Sequence, residues 1–305
     1  MKLRKELLLL SIISIVFLAG CAKGGGEAPT GTGVIIKSFA PDLQQIDPGT
    51  SVTFTATVKN VGGKGATDIK ALLFGLSNEW AGADLLTSPL KTSPSTLAAA
   101  DPSTGLPGEE GTYDWTVTFP TASGKNSDVT YDASVRVFYK YVTDSDVLLR
   151  FVESNYLRTN PNVQKGVVSS QSSSGPLVVT AVARTPSVPT GTVTGRVQFE
   201  IQNVGAGRVA NGVTVVGTTS AQPAGLDLMT EIKITGAKNC AGTDAVTGVV
   251  TLSAVRLTGG KSKIISCDVD ITGITNFKDG ALKLTATYFY LVDSASQVSV
   301  ARVLQ

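Results

Sequence analysis

The chain contains no histidine. That removes the commonest general base and proton shuttle. Ser-His-Asp and Cys-His nucleophile systems go with it. So do the imidazole-bearing zinc, copper and non-haem iron sites. A carboxylate-only glycosidase and an oxygen-liganded calcium site survive this exclusion. Charge is scarce as well: 16% of the 305 residues, against about 25% in an average soluble domain. Neither sign is in excess. Of 26 basic and 24 acidic residues, Lys2, Arg4, Lys5 and Glu6 stand at the extreme N-terminus, and the 23 and 23 that remain cancel. A neutral chain without a basic face points away from nucleic acid. The sequence also lacks a long apolar run. Leu7–Leu18, broken only by Ser11 and Ser14, spans about 12 residues, where a membrane-crossing helix needs about 20.

What the chain has instead is Ser, Thr, Gly and Val, with 42% hydrophobic residues. β-branched residues suit a pleated, half-buried surface, so this is the composition of an extracellular all-β protein. At about 100–200 residues per domain, the length predicts two domains.

The N-terminus reads as an address. Met1–Lys5 is short and positive, Leu7–Leu18 is apolar, and small residues follow, which is the three-part pattern of a secretory signal peptide. The run ends Leu18-Ala19-Gly20-Cys21. This resembles the lipobox of prokaryotic lipoprotein signal peptides. The resemblance implies removal of residues 1–20, lipid attachment at Cys21 and two or more acyl chains on it. One chain alone would bind a membrane only marginally. Residues 21–33, rich in Gly, Ala, Pro and Thr, cannot pack and read as a flexible tether with a span of roughly 20 Å.

The remainder repeats one plan. Val34-Ile35-Ile36, a Pro48-Gly49 turn and Ser51–Gly65 open the first copy. Leu177-Val178-Val179, Pro189-Thr190-Gly191 and Thr192–Gly207 open the second. Both leading strands run into Asn-Val-Gly, at Asn60–Gly62 and Asn203–Gly205. Val52, Phe54, Ala56 and Val58 alternate with polar neighbours, as do Val197, Phe199 and Ile201. Period two with one apolar face predicts strands half-buried in a sandwich. Both copies close on aromatic strands, Tyr131–Tyr141 and Leu282–Leu291, each followed by one more strand, Val147–Val152 and Val298–Leu304. The expectation is an all-β chain of two tandem Ig-like antiparallel β-sandwiches, 34–168 and 177–305, behind the signal and anchor segment. Ser169–Pro176, SSQSSSGP, reads as a linker by composition. An early strand ending in Asn-Val-Gly, a long central section and an aromatic-rich end resemble the CARDB/APHP group of cell-surface β-sandwiches. That resemblance implies a surface-interaction module without catalysis. The long segment Trp80–Gly111 departs from its compact pattern.

Few residues invite chemistry. Cys240 and Cys267 fall in the second copy, and in an oxidising envelope two such cysteines pair. Without histidine they fall short of a zinc shell. Thr143–Asp146, TDSD, reads as a solvated hairpin tip with a weak calcium alternative. Glu109 with Glu110, and Asp268 with Asp270, are carboxylate pairs of the kind a glycosidase needs, although neighbours on an exposed strand are usually just solvated. Alternation puts Phe138 and Phe289 opposite the tyrosine rows, as candidates for exposed or interdomain contact. Leu85–Pro107 is the longest unpatterned stretch and the first place to look for a binding loop. The functional expectation is a non-catalytic, membrane-anchored lipoprotein on the exterior face of a membrane, without cofactor or metal. Its sandwiches would meet a protein or glycan partner and no nucleic acid. The alternatives are a subunit or assembly factor of a surface filament, offering the edge of Val298–Leu304, or a solute-binding lipoprotein.

Overall fold

The computed structural model describes residues 32–302 apart from 102, 122–126 and 218. The signal segment, Cys21 and nearly all of the tether lie outside the described residues. The first copy contains β1 (Val34–Pro41), β2 (Gln45–Ile46), β3 (Ser51–Asn60), β4 (Thr67–Phe74), α1 (Ala83–Leu86), β5 (Leu90–Lys91), β6 (Glu110–Thr118), β7 (Val129–Glu153) and α2 (Ser154–Thr159). Next come β8 (Gly166–Ser172), β9 (Leu177–Ala183), β10 (Ser187–Val188), β11 (Thr194–Asn203), β12 (Arg208–Val216) and β13 (Ser220–Leu226). The chain ends with β14 (Leu228–Thr235), β15 (Asn239–Cys240), β16 (Thr243–Asp244), β17 (Val249–Arg256), β18 (Ser262–Asp270) and β19 (Phe277–Val300).

The fold is all-β and layered, and the alternating residues decide which way each strand faces. Val52, Phe54, Ala56 and Val58 of β3 are fully buried, as are Val197, Phe199 and Ile201 of β11. Their polar neighbours stay on the outer faces, as a period of two requires. One layer of the first half is β1-β3-β6, and one layer of the second is β9-β11-β18 extended by β15 and β16. A single large sheet, built around β7 and β19, supplies the other layer of both halves.

That sheet departs from the plan of two separate sandwiches. No hairpin forms at Thr143–Asp146. β7 runs straight through it for 25 residues, and β19 does the same in the second copy for 24. The two strands pair antiparallel from Phe277–Val152 to Val300–Val129. The front of β7 therefore sits in the first half beside β4, and its rear crosses into the second half beside β8. β19 crosses the other way, with its front beside β14 and its end between β7 and β2. Each copy lends its last strand to the other. The reason is local. Neither Val142–Asp146 nor Leu291–Ser296 contains a Gly, Pro or Asn, the residues that a tight turn uses. Thr143 and Ser145 point into the core and are fully buried.

Two further expectations are corrected by this crossing. The Ser-rich linker 169–176 does not hang between domains. Gly166–Ser172 is strand β8, hydrogen-bonded along β7, so its serines serve as strand residues at a half-exposed edge. The end of β19 is not an open edge either, because Ser299 and Val300 pair with β7 on one side and with Gln45 and Ile46 on the other. The core is continuous through both halves. The copies also differ by one insertion. Thr67 pairs with Lys140 and Lys70 with Phe138, joined by a bulge at Asp68. The matching pairs in the second copy are Ala210 with Phe289 and Glu231 with Thr287. Between them runs segment 211–230, which includes the β12–β13 hairpin.

Candidate interaction site

The waist where the strands cross is built around four tyrosines. Tyr139 faces Tyr290 and Tyr141 faces Tyr288, so the pseudo-twofold axis relating the copies passes at the pair Lys140–Phe289. The ring centroids form a closed circuit of 5.8–6.4 Å spacings. Every hydroxyl has a partner. Tyr288 shares a 2.8 Å hydrogen bond with Thr143 Oγ1, Tyr139 donates to Val34 O, Tyr141 to Ser174 O and Tyr290 to Asn203 Oδ1. Burial pushes the phenol of Tyr290 up to about 12, and it raises Tyr139, Tyr141 and Tyr288 as well. Neutral, bonded and dry, this cluster is a structural centre.

The repeated Asn-Val-Gly corners lock onto it. Asn60 Nδ2 donates to Lys64 O at 2.8 Å and to Leu97 O at 3.0 Å, while its Oδ1 accepts from Gly62 N. Asn203 repeats this with Gly207 O, Gly260 O and Gly205 N. The backbone N–H four residues after each Asn then donates to a waist tyrosine: Lys64 N to Tyr141 and Gly207 N to Tyr290. Buried amide groups that are fully bonded are costly to disturb.

On the outer side of the large sheet, the inserted hairpin folds back over the first half. Phe138, only 1% exposed, packs there with Leu90, Ala221 and Leu291, flanked by Leu72, Val213 and Leu226. Phe138 thus joins the two halves. Phe289 is half-buried, paired with Lys140 and with Ala210 at the hairpin's base. Beside this contact an open cleft of about 390 Å³ lies between the hairpin base and the shared strands. Its polar wall carries Arg136, bound to Asp293 through two hydrogen bonds of 2.7 and 2.6 Å. Arg208 also lines it, held by Asp227 at 3.0 Å. Pro223, Leu226 and Leu291 supply the apolar wall. Sequence reasoning missed these residues, because Arg136 meets Asp293 only through the crossed register of β7 and β19.

The other sequence candidates separate. Cys240 and Cys267 are directly opposed and form a disulfide, which fastens β15 to β18 inside the core. Asp144 is no hairpin-tip ligand. Burial pushes its carboxyl up, but Lys64 Nζ at 2.8 Å and Thr285 Oγ1 at 2.7 Å outweigh that and leave it below the usual carboxylate range. Glu110 is depressed by Lys59 and Lys37, while Glu109 accepts from Ala98 N. Asp268 is bound by Arg196 and Asn239, and Asp270 is lowered by Thr272. A glycosidase acid needs a raised pKa, whereas Glu110 and Asp270 are both shifted downward. The middle of Leu85–Pro107 is fastened to β4 and its approach, since Ile69 N donates to Ser95 O and Ala66 bonds with Leu97 in both directions, while Leu86 and Leu106 are exposed. Among the described residues, no three of His, Cys, Asp and Glu gather as metal ligands would.

No protein-family model matches the chain, and no curated protein does. Solved structures give faint likenesses. Red sea bream transglutaminase aligns with 88% of this chain at 8% identity and a TM-score of 0.19, and the chain spans only 32% of its length. The collagen adhesin from S. aureus aligns over 90% of this chain and 94% of its own, at 10% identity and a TM-score of 0.13. The CupB6 tip adhesin from Pseudomonas aeruginosa aligns over 90% and 98%, at 7% identity and a TM-score of 0.17. Likenesses at this level say nothing about what the chain does.

Proposed function

We propose that this chain is a non-catalytic lipoprotein, anchored through Cys21 on the exterior face of a membrane, that presents two fused β-sandwiches to a protein or glycan partner. The observation that carries the reading is Leu18-Ala19-Gly20-Cys21, set directly behind a basic start and an apolar run of signal-peptide length. The buried Cys240–Cys267 disulfide supports it, because such bonds persist in oxidising compartments. The absence of histidine supports the non-catalytic part, because it removes the commonest general base and proton shuttle. The alternative of a filament subunit would need an open edge, and the expected one at the end of β19 is paired on both sides.

The test is fractionation and intact mass of the full-length chain beside Cys21→Ala. Wild type should pellet with membranes and carry acyl mass on a chain that begins at Cys21. The variant should leave that fraction. A soluble wild type without lipid would defeat the anchor.

A further inference from the structure

Repeats make departures from symmetry informative. At the place matching the junction cleft, the first copy lacks the inserted hairpin. Its bulge at Asp68 stands where the hairpin is inserted, so no second wall exists. The positions matching Arg136 and Asp293 are Thr285 and Asp144, and these bond to each other. Gly65 stands where Arg208 stands in the second copy. The cleft thus joins a wall that only the second copy's insertion supplies to two arginines, Arg136 from the first copy and Arg208 from the second, whose matching positions hold Thr285 and Gly65.

The chemistry there is balanced. Two guanidinium groups and two carboxylates sum to no charge, so an anion gains nothing overall from the field. Each pair still offers unused hydrogen-bonding capacity, because guanidinium carries five N–H donors and each carboxylate accepts about four bonds. Side-chain exposure of 55% at Arg208 and 43% at Asp293 leaves that capacity reachable. Donor and acceptor stand side by side on a polar wall, facing the apolar wall of Pro223, Leu226 and Leu291. A sugar has the matching chemistry: adjacent hydroxyls that both donate and accept, around C–H faces that pack on apolar side chains. A volume of about 390 Å³ falls in the range of small-ligand sites. Clefts between domains are favoured places for such sites.

We propose that this cleft binds a neutral sugar unit, held by Arg136, Asp293 and Arg208 against Leu291 and Pro223. This deepens the surface-presentation reading by naming the partner as a glycan. It rests on that reading only for where the glycan is met, and the anchor is tested separately by fractionation.

The experiment uses the full chain, solubilised in detergent with its anchor, and titrates it with galactose, mannose and N-acetylglucosamine. Glucuronate and inorganic sulfate are the anionic comparisons, and binding is read from amide NMR shifts. At least one neutral sugar should shift signals at Arg208, Leu291 and Asp293. Arg208→Ala should weaken it by about tenfold, the scale of one lost bond to a charged group. Ala206→Trp, which fills the cleft and leaves both ion pairs in place, should abolish it. Lys64→Ala, at the matching place in the first copy, should leave it unchanged. Circular dichroism confirms that each variant is folded. Binding of glucuronate or sulfate alone would overturn the assignment to neutral sugars. Absence of any shift, or a shift that survives Ala206→Trp, would overturn the site.

Discussion

Tyr139, Tyr141, Tyr288 and Tyr290 are four weak acids that the fold holds neutral at the waist. An unfolded tyrosine titrates near about 10, and the folded values lie above that, with Tyr290 at about 12. A raised folded pKa means that the stability contribution is whole below about pH 10. Above that the unfolded chain gives up protons that the folded chain keeps, and stability falls as pH rises. The expected outcome is that these rings stay protonated past pH 10, then ionise together as the fold is lost. Ring NMR with circular dichroism along an alkaline titration checks this. Independent ionisation near pH 10 with the fold intact would refute the dry, bonded cluster. Alternation in Tyr131–Tyr141 and Leu282–Leu291 already placed these rings on one inward face. That the two rows meet depended on a register that neither strand encodes alone.

At the level of elements, the hairpin of β12 and β13 links the halves from outside, and Phe138 is its anchor. Phe138→Ala should cost roughly 3–5 kcal/mol in urea unfolding, because a fully buried ring leaves a cavity where the halves meet. Phe289→Ala should cost less, since Phe289 is only half-buried. Equal costs would contradict the arrangement. Individual strands were legible from the sequence because period two with one apolar face has few other readings. β3 and β11 follow it throughout. The turn at Thr143–Asp146 was misread from its two aspartates, although the absence of Gly, Pro and Asn there argued for a strand that continues. β8 was hidden for a different reason. A run of serines looks like a linker, and only the neighbouring β7 makes it a strand.

For the molecule as a whole, the crossing of β7 and β19 makes one unit of two copies. Each half borrows a strand for its larger sheet, and the core runs through the waist. A lipid-anchored protein built this way would present its surfaces as one body, with the junction cleft held at fixed geometry between the halves. Sequence repeats revealed two copies but not the exchange, because repeats report similarity and say nothing about which copy a strand joins. The loop Pro161–Lys165 gives direct access to this claim. It is largely exposed and joins α2 to β8, so it can carry an inserted protease site. After cleavage there, the two pieces should co-elute as a single species under native conditions, unfold in one transition, and separate only in denaturant. If they part without denaturant, or unfold in two steps, the strands are not exchanged and the copies are independent sandwiches.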